Sequence, residues 1–196
     1  KITESCSDKI NYSDIWHYLQ PLTRKLFQQY GYQVWPIFAD AIKNADPIKK
    51  YRLTELLGSG DRFEKGKQSV LAELPDDLLK EWCVKEPDVA PKFVAEATDV
   101  LLDAGSGFQM SPRARFLLDN FGDDDRVLSS LSTNLGSFGW TGSLVPYYQR
   151  ELSIMETLKT HEKKKVREWA NRRLSYLTKI IAREKRRDEE HDWGIY

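Results

Sequence analysis

Apolar residues recur along this chain at helical spacing, in stretches of about ten to twenty residues separated by short polar or glycine-bearing breaks. In "SDIWHYLQPLTRKLFQQYG" the positions Ile15, Trp16, Leu19, Leu22, Leu26 and Phe27 form one apolar side, and Pro21 is placed to kink or split the helix. Gly31 permits a tight turn into "YQVWPIFADAIKNA", so the two stretches together predict a helical hairpin. "NADPIKKYRLTELLG" has Asp46 as N-cap, Pro47 in the first turn and Gly58 past the end; "MSPRARFLLDNFG" repeats the device with Ser111, Pro112 and Gly122. "LPDDLLKEWC" opens on Pro75 and two acids that suit a helix dipole, and a further helix is expected from about residue 89 to 102, presenting Phe93, Val94, Ala97, Val100 and Leu101.

Downstream, "DDDRVLSSLSTNL" starts on an acidic cap and ends at the glycine-rich "GSFGWTGS". Two longer helices follow. Val145, Tyr148, Leu152, Met155 and Leu158 stripe the first; Val166, Ala170, Leu174, Leu177 and Ile181 stripe the second, flanked by Trp169 and Ile180. The short connection between them predicts antiparallel packing. Strand signals are nearly absent. The expected fold is all-α, with antiparallel helical hairpins stacked as a short HEAT-like α-solenoid; a globular helical bundle is the competing arrangement. A single domain over residues 1–196 follows, with a possible sub-boundary near residues 103–110, in the glycine-rich "DAGSGFQ" break.

Composition narrows the functional classes. Apolar residues make up 40% of the chain and charged residues 31%, too apolar for disorder and too finely charged for a membrane protein. No apolar run approaches the roughly 18 residues of a membrane span, and "KITESCSDKI" lacks the design of a secretory signal, so a cytoplasmic location is expected. A first residue that is lysine reads as a processed terminus or a piece of a longer protein. Cys6 and Cys83 have no CxxC partner, and His17, His161 and His191 are dispersed, so neither a metal nor a cofactor is expected; Cys83 reads as a free thiol buried beside Trp82. Formal net charge is zero, yet residues 163 to 187 hold eleven basic residues against two acidic ones.

At "EKKKVREWANRRLSYL" the chain resembles the second helix of a HEAT-type repeat, in which an arginine at the position of Arg167 supports the adjacent turn. The strings "YGYQVWPIFADAI", "YRLTELLG", "LPDDLLKEWCVKEPDVAPKFV" and "GSFGWTGSLVPYYQRELSIMETLKTHEKKKVREWA", with the closing "RDEEHDWGIY", are similar to the carboxyl-terminal helical region of large bacterial multidomain proteins, including antiviral NTPases of the NACHT and related signal-transduction classes. That resemblance implies a sensor or scaffold segment rather than an enzyme. The GxxxxGK[ST] phosphate loop of the catalytic parts of such proteins does not occur here.

Three candidate sites follow from the residues. Phe138, Trp140, Tyr147 and Tyr148, in "GSFGWTGSLVPYY", could supply aromatic anchors to a protein partner, or plug the junction between repeat layers. Arg172, Arg173, Lys179, Arg183 and Arg187 lie opposite the apolar stripe and could follow a nucleic-acid backbone, or solvate a terminal capping helix. The acidic groups Asp76–Asp77 and Asp123–Asp125 suit helix caps better than acid–base or magnesium chemistry. A non-catalytic scaffold binding a protein partner is the expected function. Its alternatives are a nucleic-acid-binding module and a stand-alone immunity or inhibitor protein.

Overall fold

A computed structural model describes residues 12–58, 68–103, 108–135 and 142–192. Most of the described residues are helical, and the strands among them are two segments of three residues each. The chain divides into two compact units, with the boundary at Thr98 and Asp99. The division thus comes ahead of the glycine-rich break at which the sequence placed a sub-boundary.

The first unit opens on α1 (Tyr12–Asn44), which holds Pro21 and Pro36 and leaves helical geometry at Tyr30 (φ −135°, ψ 27°). Two residues eleven positions apart on a straight helix are separated by about 16 Å; the rings of Phe27 and Phe38 lie 5.1 Å apart, so the two arms of α1 fold toward each other at Tyr30. The expected hairpin therefore exists as a break at one residue rather than as a loop. Gly31 also lets the chain pass close to the next element, because a Cβ there would stand 3.3 Å from Leu74 and 3.4 Å from Pro75. α2 (Pro47–Leu57) begins as expected, with Asp46 accepting the backbone N–H groups of Ile48 and Lys49.

A one-turn 3-10 helix (Val70–Glu73) packs on α1, and α3 (Asp76–Lys85) and α4 (Ala90–Ala97) complete this unit. The core is an edge-to-face aromatic chain: Phe27 on Trp35, Trp35 on Trp82 and Trp82 on Phe93, with centroids 6.3, 5.1 and 6.0 Å apart. Cys83 is buried in it as a free thiol.

The helix expected to reach residue 102 ends at Ala97. Thr98 takes extended geometry (φ −98°, ψ 136°), and β1 (Leu101–Asp103) pairs antiparallel with β2 (Phe108–Met110). Thr98 and Val100 are β-branched and resist helical extension, while the apolar spacing through Leu101 read equally well as a helix.

In the second unit α5 (Pro112–Phe121) is capped by Ser111, whose hydroxyl accepts the Ala114 N–H. α6 (Asp125–Leu135) follows, capped by Asp124 through the Arg126 N–H. α7 (Val145–Thr157) runs through a 3-10 turn (Leu158–Thr160) toward α8 (Lys164–Asp192), and α7 packs on α8 more extensively than any other pair of elements. Ser143, at the start of α7, bonds Asp188, near the end of α8, which makes the pair antiparallel as expected. Val166, Ala170, Leu174 and Leu177 are buried on the seam.

Candidate functional site

The α5–α6 corner and the turn leading into α8 lock the second unit at one end. His161 accepts the Lys163 backbone N–H on Nδ1 at 3.1 Å, which leaves the proton of the neutral ring on Nε2, 2.9 Å from Asp119 Oδ1. The Arg167 guanidinium donates to the carbonyls of His161 and Glu162, both at 2.7 Å, and so braces that turn. Lys163 reaches Asp123 at 2.6 Å and Lys165 reaches Asp125 at 2.9 Å, while Asp124 pairs with Arg126 at 2.7 Å. The Arg126 side chain holds the Asp124 carboxyl below the usual carboxylate range. All three acids of this cluster are therefore engaged with cations or caps. Trp169 donates its indole N–H to Ser132 at 2.6 Å, tying α8 to α6.

The seam between α7 and α8 is more polar than its stripe suggests. Glu151 is 1% exposed and takes two bonds from Arg173, Nε to Oε1 at 2.5 Å and Nη2 to Oε2 at 3.2 Å. Burial pushes the Glu151 carboxyl up, and the guanidinium pulls it back only in part. Arg173 also lies over the Tyr176 ring, 5.0 Å from its centroid. Farther along α8, Glu184 is buried too; Arg187 stands 2.7 Å from its Oε2, at ion-pair distance but outside hydrogen-bond geometry, and Arg183 stands 3.5 Å from its Oε1.

The candidate cations thus divide. Arg173 belongs to the interior seam rather than to the solvent face, and Arg187 is drawn to Glu184. Arg172, Lys179 and Arg183 remain on the outside of α8. Among the aromatic candidates, Tyr147 and Tyr148 are half-buried near the start of α7, with the Arg150 guanidinium 5.9 Å from the Tyr147 ring centre. Burial raises the Tyr148 phenol above its ordinary range. Phe138 and Trp140 lie outside the described residues.

Two features of the first unit escaped the sequence reading. Tyr18, Leu22, Leu26 and Tyr30 recur every four residues on α1 and are 70%, 63%, 37% and 52% exposed. Leu22 and Leu26 belong to the apolar side expected of this helix, and here they face solvent. Between the second arm of α1 and α3 runs a groove of about 380 Å³, lined by Trp35, Pro36, Ala39, Leu78 and Trp82 and rimmed by charged side chains, including the 2.7 Å Lys43–Glu86 ion pair. The buried Trp35 indole N–H has no hydrogen-bond partner among the described residues.

Among the described residues no group of three or more His, Cys, Asp and Glu is placed to hold a metal ion, and no helix is long and apolar enough to cross a membrane. Comparison of the chain with protein-family models, curated proteins and solved structures finds no match.

Proposed function

We propose that this chain is a non-catalytic helical scaffold or sensor segment, a short HEAT-like α-solenoid that works in the bacterial cytoplasm by binding a protein partner. The observation that carries the reading is the exposed row Tyr18, Leu22, Leu26 and Tyr30 on α1. Tyr18, Leu22 and Leu26 share a helix face at a four-residue spacing, with Tyr30 at the break that ends this arm, and such a row is the arrangement by which helices dock on one another through their i±4 ridges. Support for a non-catalytic role comes from how several titratable groups are engaged. Asp123, Asp124 and Asp125 are paired, His161 is held between Asp119 and a backbone N–H, and burial pushes the Cys83 thiol up to about 12, where it is no nucleophile. The setting, a sensor end of an antiviral defence protein, follows from the resemblance of the helical strings.

The test is co-purification of the full-length protein from its own cells after mild crosslinking. The reading predicts a discrete protein partner that is lost with Leu22→Ser/Leu26→Ser and kept with Arg172→Ser. Turnover by the purified chain that disappears when Asp123 and Asp125 are changed to Asn would contradict it.

A further inference from the structure

Beyond protein binding on the first unit, we infer that the outer face of α8 is a nucleic-acid phosphate-backbone site made by Arg172, Lys179, Arg183 and Arg186. At 3.6 residues per turn these four side chains fall within about 60° of arc, and at 1.5 Å per residue they span about 21 Å, the axial length of about six base pairs. All four are exposed, whereas the Arg173 and Arg187 cations are turned toward Glu151 and Glu184. Among the described residues, Arg183 alone of the four has an acidic neighbour within ion-pair range, at 3.5 Å, with its own side chain 73% exposed. On that arc no acidic residue stands between 172 and 186; Glu168 and Glu190 bound it at either end. The result is a single-sign line of charge on a rigid rod, on a chain whose net charge is zero.

The chemistry of this line selects its ligand. Three of the four cations are arginines, whose planar forks suit discrete phosphate oxygens. The neighbouring exposed positions include Asn171, Ser175, Ala182 and, at the edge of the arc, Tyr176, so the face offers little apolar area to insert among lipid chains. The Tyr176 ring has the Arg173 guanidinium 5.0 Å from its centroid and presents a hydroxyl as well as apolar carbon. A polyanion with regularly spaced phosphates fits this surface better than a bilayer does.

The test is fluorescence anisotropy with a labelled generic 20-base-pair DNA duplex and a single-stranded RNA at low and physiological salt, using the whole chain. Counterion release by three or four contacts predicts a log–log salt slope of about −3 to −4 for the duplex. The variant R172Q/K179Q/R183Q/R186Q is expected to bind at least tenfold more weakly with a flatter slope. Charge-keeping R172K/R183K/R186K should stay within a few-fold of the parent and report that the helix itself is intact, as should removal of Lys25 and Lys85 in the first unit. Absence of binding at low salt overturns the inference. So does binding that survives the glutamine variant, or binding to phosphatidylserine vesicles without binding to either nucleic acid.

Discussion

The two units treat polar and apolar groups in opposite ways. In the first, an aromatic chain from Phe27 to Phe93 forms the core, while large apolar side chains such as Tyr18, Leu22 and Ile37 face water. In the second, charged groups enter the interior, with Glu151 and Glu184 buried, and the exposed surface of α8 is dominated by Lys and Arg. Apolar surface left in water has a direct cost of about 25 cal/mol per Å². A buried ion pair has a desolvation cost that its attraction offsets only in good geometry. Each unit therefore retains a feature that stability alone does not favour, an exposed apolar row in the first and buried carboxylates in the second.

The contrast is broken most sharply by removing one partner of an ion pair in each unit. Arg173→Ala leaves the buried Glu151 carboxylate alone and should cost about 3–5 kcal/mol in chemical denaturation. Arg24→Ala in the first unit, facing the more accessible Glu73 at 2.5 Å, should cost about 1 kcal/mol or less. Equal losses would mean that the α7–α8 seam is wetter than described.

Packing gives the next largest effect. A Cβ on Gly122 would stand 2.4 Å from Val166 and 2.3 Å from the Leu118 carbonyl oxygen, so the backbone there would have to shift. Gly122→Ala should therefore destabilise the second unit by about 1–3 kcal/mol. Gly142→Ala has open space around it but a φ of 77°, and is expected to cost about 1 kcal/mol through backbone strain alone.

The pH response should differ in sign between Glu151 and Asp46. The folded Glu151 keeps its proton at pH values where the unfolded chain has released it, because burial raises its pKa above 4.5. Unfolding free energy should thus fall as pH rises from about 4.5 through the folded value and then level off, and Glu151→Gln should flatten that limb. Asp46, lowered from 3.8 by the Lys49 and Ile48 N–H groups, stabilises α2 above that pH and loses the contribution as pH falls through its folded value. Asp46→Asn should remove this acid-side loss, as read by urea titrations across pH.

Smallest in energy but most local is the thiol of Cys83. In a Cys6→Ser background, its reaction with a maleimide should be limited by opening of the first unit, since the buried thiol is held near 12. Variants of the second unit should leave that rate unchanged. Acceleration by Arg173→Ala would show that the units open together.

Much of this fold was legible because capping is local chemistry. Asp46, Ser111 and the acids before α6 announce helix starts in a few residues, and the α8 stripe is apolar at strict spacing from Val166 to Leu177. What the sequence hid was tertiary. Glu151 looks like any surface glutamate until Arg173, twenty-two residues away, is brought beside it. The spacing that marks Leu22 and Leu26 as apolar cannot say which apolar positions of α1 are covered, and α1 carries more of them than its neighbours bury. The short hairpin of β1 and β2 escaped because three-residue strands are too brief for alternation to stand out from helical spacing.

The central claim, that the first unit presents the protein-binding face, is tested most directly by site-specific photocrosslinking in the full-length protein in its own cells. With the photoreactive residue at position 22, the account predicts a protein adduct of discrete mass that disappears when Leu26 and Tyr18 are changed to Ser. Absence of an adduct at position 22, together with a discrete protein adduct at position 172 of α8, would contradict it.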